Sequence, residues 1–340
     1  MVKIASKGES SLYVGIDIAA YKADVYLSSE FHIKERAFQI TQNEEGFKAL
    51  LARLSATHVR PSACRVLLEA TGNYWIDLAT KLDEAGYLIR VVNPRRAHQF
   101  MGSLTSRGKS DTIDAKSLAL MAEQQQFDLW KPPPLIYYEL RDQLTRRDDI
   151  VCRITEVKNQ RHAYKAKKTT SVAIFKSIAG ELKALEFEKK TLEKELEHLT
   201  KKEAGWEETF NLLRTIKGIG LITACWLLVV TNNFQGCENV EQLINYIGLA
   251  PLPYESGKSV KGRGRLNKQS NGKMRKVLYM AALRATTCNE VVKVYYKRLV
   301  NESHKPKKVA VCAAMRKLIL IAWSVVHNKV AFYVPEGLGN

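Results

Sequence analysis

Short apolar runs rich in β-branched and aromatic residues open the chain. Leu12 to Ser28 and Phe31 to Ile40 are long enough to pair as antiparallel strands. Thr41-Gln-Asn-Glu44 then reads as a capping box, and Phe47, Leu50, Leu51 and Leu54 behind it carry helical spacing. Arg65 to Ala70 predicts a short buried strand, Tyr74 to Glu84 a helix, and Leu88 to Val92 a strand closed by Asn93-Pro94. A further helix starts at Asp111 with Ser110 as its N-cap. Two or three antiparallel strands followed by alternating helix and strand predict a mixed sheet flanked by helices. Lys131-Pro-Pro-Pro134 cannot continue a helix and marks a boundary.

The pattern then changes. From Leu135 to about Thr209 the chain is charged and helix-prone, and Leu182, Leu185, Leu192, Leu196 and Leu199 recur at the spacing of a coiled-coil or helical-hairpin seam. Leu212 to Val230 follows as two helical runs joined by Gly218-Ile-Gly220. That junction is either a helix-hairpin-helix, whose glycines admit a phosphate to the backbone N–H groups, or a tight turn between two core helices. Beyond Tyr246-Ile-Gly-Leu-Ala-Pro251 a loop is expected over Tyr254 to Arg265, then helices to about His327. The organisation expected is α/β plus α, with domains at residues 10–131, 135–209 and 210–330.

Composition narrows the function. With 46% hydrophobic and 26% charged residues the chain is too apolar for disorder. Its net charge of +18 points to a polyanionic partner. The surplus is localised: residues 1–132 hold 17 basic and 15 acidic side chains, 133–254 hold 18 and 16, and 255–340 hold 18 and 4. A polyanion is therefore expected to dock at the C-terminal end. Cys64, Cys152, Cys225, Cys237, Cys288 and Cys312 fall at wide intervals without metal-ligand spacing, as reduced core thiols would. No uninterrupted apolar stretch approaches the roughly 20 residues of a membrane helix. A soluble intracellular protein, not associated with a membrane, is expected.

Four carboxylates stand out. Asp17 lies inside the apolar run VGIDIA and Glu69 ends VLLEA, where an ionised group is costly to bury without a partner such as a metal ion or backbone donors. Asp111 and Asp114, three apart in a first helical turn, share one face, although acids there also complement the helix dipole. Together they offer the hard oxygen ligands that a two-Mg²⁺ phosphodiester site uses.

Downstream, Ser256 and Ser259 stand among Lys258, Lys261, Arg263 and Arg265, with Lys268, Lys273, Arg275 and Lys276 just beyond. These residues form a candidate nucleic-acid-binding strip, Ser259 included. A serine hydroxyl held beside a phosphate can attack it and conserve the bond energy as an ester.

YVGIDIA, LLEATGNYW, SDTIDAKSLA, LLRTIKGIGLITA, YIGLAPLPYESGKSVKGRGRLNK and RKVLYMAALRAT, in that order from about Leu12 to Val326, resemble the DEDD insertion-sequence transposases. These are bridge-RNA-guided recombinases that also include a site-specific DNA invertase. The resemblance implies an RNase H-like (RuvC-like) domain, a coiled-coil spacer and a C-terminal transposase domain with a nucleophilic serine. It implies Asp17, Glu69, Asp111 and Asp114 as a Mg²⁺-binding tetrad and Ser256 as the residue that forms a phosphoserine link to DNA. Ser259 competes for that last role. It further implies donor and target DNA, a bridge RNA, and homodimers assembling to tetramers in which acids of one subunit meet the serine of another. Two other functions fit the same residues: a RuvC-like nuclease that hydrolyses DNA, and a non-catalytic nucleic-acid-binding protein.

Overall fold

The computed structural model describes residues 12–29, 36–104, 111–167, 169–256, 260–266 and 270–334. The chain divides into two compact units, Met1–Pro132 and Pro133–Asn340.

In the first unit five strands form one sheet in the order β3-β2-β1-β4-β5. They are β1 (Leu12–Ile18), β2 (Lys22–Ser29), β3 (Arg36–Thr41), β4 (Cys64–Glu69) and β5 (Leu88–Val92). The first three run antiparallel, whereas β1, β4 and β5 are mutually parallel. Leu12 to Ser28, read above as one run, is broken at residues 19–21 into a hairpin closed by Ala19 N–H donating to the Lys22 carbonyl at 2.9 Å.

Side chains alternate across the sheet. Leu12, Val14, Ile16 and Ile18 join Val25, Leu27, Val66 and Leu68 on one face, against Leu50 and Leu54 of α1 (Glu44–Ser55) and Leu78 and Leu82 of α2 (Ile76–Glu84). Tyr13, Leu67 and Val92 lie on the other face. They pack with Ala97 of α3 (Pro94–Ser103) and Leu118, Met121 and Ala122 of α4 (Asp111–Gln124). A mixed sheet of this order between two helical layers is the RNase H-like arrangement.

Two local readings change. The cap of α1 is Asn43, whose side chain accepts from Gly46 N–H at 2.9 Å; Thr41 ends β3 and donates its hydroxyl to Asn43 Oδ1 at 2.7 Å. Asn93-Pro94 does more than end a strand. Asn93 caps α3 by accepting from Arg95 N–H, and Pro94 takes the first helical position, where its missing N–H is no loss. The N-cap expected at Ser110 lies outside the described residues.

The second unit is helical. Helices α5 (Leu135–Lys165) and α6 (Val172–Leu199) form an antiparallel hairpin. Leu196 and Leu199 of the expected seam are buried, while Leu182, Leu185 and Leu192 are half-buried against α5. Arg146–Glu188 at 2.7 Å, Arg147–Glu193 at 2.9 Å, Arg153–Glu181 at 3.0 Å and Lys158–Glu186 at 3.3 Å bridge the two helices.

Its core gathers α7 (Ala204–Arg214), α8 (Leu221–Thr231), α9 (Val240–Ile247), α10 (Gly272–Cys288), α11 (Glu290–Asn301) and α12 (Lys307–Asn328). Helix α12 contains an 18-residue window of mean hydropathy 1.9 and by length and composition could cross a membrane, although Arg316 and Lys317 interrupt its apolar run, as the sequence reading expects. Here Val311, Ala314, Met315, Leu318 and Ile319 make it a core helix. Residues 254–265, expected as a loop, instead carry a two-stranded ribbon of β6 (Pro251–Ser256) and β7 (Val260–Leu266). Its register sets Glu255 opposite Lys261 and Ser256 opposite Val260.

The cysteines are not uniformly core residues. Burial pushes the Cys64 and Cys225 thiols up to about 12, whereas Cys152 is exposed on α5.

Candidate active site

Glycine sets the position of α4 over the sheet. The only side of Gly15 that a side chain could occupy is taken by the helix backbone: an added Cβ would lie 2.0 Å from the Ala115 carbonyl oxygen and 2.3 Å from the Ala119 nitrogen. Tyr26, the β2 partner of Gly15, packs on the same two alanines. Two residues further along β1, on that same face, comes Asp17. The last paired rung between β1 and β4 is Ile16–Leu68, so Asp17 and Glu69 follow it at the C-terminal ends of adjacent parallel strands. Asp111 and Asp114 belong to the first turn of α4, which covers this face.

The four acids of the sequence reading are thus brought to one end of one face, and the other three are felt by Asp17. Burial, and then Glu69, Asp114 and Asp111 in that order, push its carboxyl up to about 6 against a stabilising bond from Ile18 N–H. Thr71 donates its hydroxyl to Glu69 Oε1 at 2.9 Å and so orients that carboxylate. Among the described residues, no three acids already stand at ligand distance around a common point.

Two charged residues at this site were missed in the sequence. Asp24 is paired in register with Asp17 across the β1–β2 hairpin, and Gln39 of β3 donates to both its carboxylate oxygens at 3.2 and 3.3 Å. Lys22 sits at the start of β2 with Nζ 2.7 Å from Asp111 Oδ2 and 3.7 Å from Asp24 Oδ2. Strand parity would have placed both beside Asp17 had the hairpin break at 19–21 been recognised. Gln42 ties the loops that follow β1 and β4, donating to the Ala19 carbonyl at 3.4 Å and the Tyr74 carbonyl at 3.2 Å.

In the second unit Ser256 ends β6, directly before the 257–259 connection, and Lys261, Arg263 and Arg265 alternate with glycine along β7. Lys258, Ser259 and Lys268 lie outside the described residues. The other three cations of the strip differ in engagement. Arg275 donates to the Ile247 carbonyl at 3.1 Å and to Ser270 Oγ, closing the C-terminus of α9. Lys273 lies 4.8 Å above the Trp226 ring and 3.8 Å from Asp148, while Lys276 is exposed.

The Gly218 junction is accounted for by packing. Its φ is +108°, and a Cβ there would fall 2.7 Å from the Ala285 Cβ of α10. Buried Asn289 caps α11 and donates to the Lys217 carbonyl at 3.0 Å, fastening the same turn from the other side. This supports the tight turn between core helices.

The order of these features is that of known recombination enzymes. Residues 14–164 match the DEDD transposase profile of the IS110 group, and residues 210–297 match the transposase profile of the IS116/IS110/IS902 family. The chain belongs to the IS110 family of DEDD transposases. It is also similar to the pilin gene-inverting proteins of Moraxella bovis and Moraxella lacunata. Each is 26% identical over 323 residues, covering 95% of this chain and 98% of the relative. A transposase of this family is an enzyme of DNA recombination, and membership implies use of a divalent metal. An all-carboxylate donor set suits such a hard cation, and a bound cation would offset both the burial and the neighbouring carboxylates that raise Asp17.

Proposed function

We propose that this transposase cuts and rejoins the DNA of an insertion sequence through a Mg²⁺-dependent site and a covalent phosphoserine intermediate. Asp17, Glu69, Asp111 and Asp114 are the residues that would hold the metal, and Ser256 is the nucleophile. The observation that carries the reading is the convergence of three carboxylates on Asp17 at the strand ends, where the RNase H-like sheet presents its reactive edge. Bound there, Mg²⁺ would supply Lewis-acid stabilisation of the developing phosphate charge.

The chain's own groups do the rest. Glu69 is oriented by Thr71, and α4 holds Asp111 and Asp114 over the face that carries Asp17. The Ser256 hydroxyl attacks a backbone phosphorus; one P–O ester bond forms as another breaks, and the departing strand end leaves with the proton as a free hydroxyl. One ester is exchanged for another, so rejoining needs no external energy source. In this reading the site is composite, acids of one subunit of a dimer or tetramer acting with the serine of another. The basic ribbon and Lys276 would grip donor and target DNA, with Lys258, Ser259 and Lys268 of the same strip. The cationic surplus after residue 255 also suits a bridge RNA that selects those sites.

The test is a denaturing gel after incubation with element-end DNA, Mg²⁺ and any RNA that copurifies. Wild type should yield protein joined to DNA, and Ser256→Ala should yield none. An adduct that persists in Ser256→Ala transfers the nucleophile role to Ser259 or elsewhere. Wild-type strand scission with no adduct at any time point replaces the recombinase with a hydrolytic nuclease.

A further inference from the structure

The acidic end of the RNase H-like sheet carries its own cation. Lys22 Nζ is 2.7 Å from Asp111 Oδ2 and 3.7 Å from Asp24 Oδ2, on the face that also bears Asp17, with Glu69 and Asp114 as the remaining charges there. Of the carboxylates assigned to the metal, Asp111 is thereby engaged by a side chain. The pair is open to solvent, with Lys22 43% and Asp111 57% exposed, so exchange of partners costs little. An ammonium on a four-carbon stem is a mobile point charge, suited to leaving one anion for another.

We propose that Lys22 is a built-in competitor for the divalent metal, neutralising Asp111 until the metal takes that carboxylate and then turning its ammonium to the DNA phosphate. This rests on the reading of Asp17, Glu69, Asp111 and Asp114 as the metal site. Lys22 is a positioning residue in this scheme: it acts through Asp111 before metal binds and on the phosphate afterwards. Asp24, held by Gln39, is a second carboxylate within 3.7 Å of the Lys22 ammonium and draws it to this end of the sheet. Loss of the ammonium should therefore have opposite effects on two affinities, tightening metal binding and weakening metal-dependent DNA binding.

The experiment titrates the full chain with Mn²⁺, counting the free ion by electron paramagnetic resonance, for wild type, Lys22→Gln, Lys22→Met, Lys22→Arg and Asp17→Asn. Expected are wild-type binding, loss of that binding in Asp17→Asn, affinity about two- to fivefold tighter in Lys22→Gln and Lys22→Met, and no such gain in Lys22→Arg. A merely structural ion pair would lower the melting temperature equally with and without Mn²⁺ and leave the affinity alone. If Asp17→Asn abolishes binding while both neutral variants bind as wild type or more weakly, the competitor role is overturned and the metal site stands. If Asp17→Asn binds Mn²⁺ as wild type does, or wild type binds none, the metal-site reading fails and takes the Lys22 role with it.

Discussion

Gly15 of β1 lies directly beneath Ala115 of α4, with the Ala115 carbonyl oxygen 2.0 Å from where a Cβ would be. The contact is backbone on backbone, so nothing flexible can yield. Gly15→Ala is expected to lift the start of α4 and with it Asp111 and Asp114. Stability should fall by about 1–3 kcal/mol, the range for overpacking a core, with strand transfer lost well before the fold. Urea denaturation read beside a strand-transfer assay checks both halves. An active Gly15→Ala protein would mean that α4 does not need its present depth to assemble the acids.

Asp17 makes the metal-free protein sensitive to acid in an uncommon direction. Its carboxyl is held near 6 in the folded chain against 3.8 for a free aspartate, so the folded state keeps a proton that the unfolded state has released. Stability should therefore decline as pH rises from about 4 to 6 and stay level above. In Asp17→Asn this contribution to the slope disappears, and the metal-free protein melts higher at pH 7 than wild type. Melting curves in EDTA across that pH range read the difference directly.

Gly218 and Ala285 form a second close approach, with the added difficulty of a positive φ. Gly218→Ala should destabilise the second unit by about 1–3 kcal/mol, from strain and overlap together. Ala285→Gly in the same chain removes the closest contact but leaves the Ala285 Cα at 3.1 Å, the Ala281 carbonyl at 3.2 Å and the backbone strain, so the double variant should recover part of the loss. A double-mutant cycle by chemical denaturation separates the two contributions.

Arg275 and Lys276 are neighbours with different employment. Arg275→Ala removes the donor that closes α9 and should lower the melting temperature. Lys276→Ala, at an exposed position, should leave it unchanged while weakening DNA binding across sequences and reducing the salt slope by about one. Filter binding over a salt series, beside thermal melts, distinguishes them.

What could be read in the sequence followed from strong local signals. Leu88 to Val92 stands where its short apolar run before Asn93-Pro94 sets it, and Asp17 and Glu69 are conspicuous because a charge inside an apolar strand demands compensation. Hidden features depended on partners distant in the chain. Nothing in the sequence around Lys22 marks it: its role depends on the 19–21 turn that folds β2 back on β1 and on α4, which brings Asp111 from 89 residues away. Arg275 counted as one of a run of cations, and only the carbonyl of Ile247 gives it another task. The ribbon at 251–266 was obscured because glycine and lysine, poor strand formers, occupy positions where ladder pairing outweighs propensity.

The α5–α6 hairpin has a consequence in length and phase. Helix α5, at 31 residues, spans about 46 Å, and buried Leu140, Leu144, Leu196 and Leu199, with four ion pairs alongside, set α6 against it in one register. The turn joining the helices is therefore held at a fixed reach and a fixed bearing from the helices that pack against the hairpin's base. Taking seven residues from each helix would shorten that reach by about 10 Å and swing the turn only about 20°. Taking five would shorten it by about 7.5 Å and swing it about 140°. A bearing, unlike a distance, is lost by the smaller cut, and this separates a spacer that only keeps things apart from one that points.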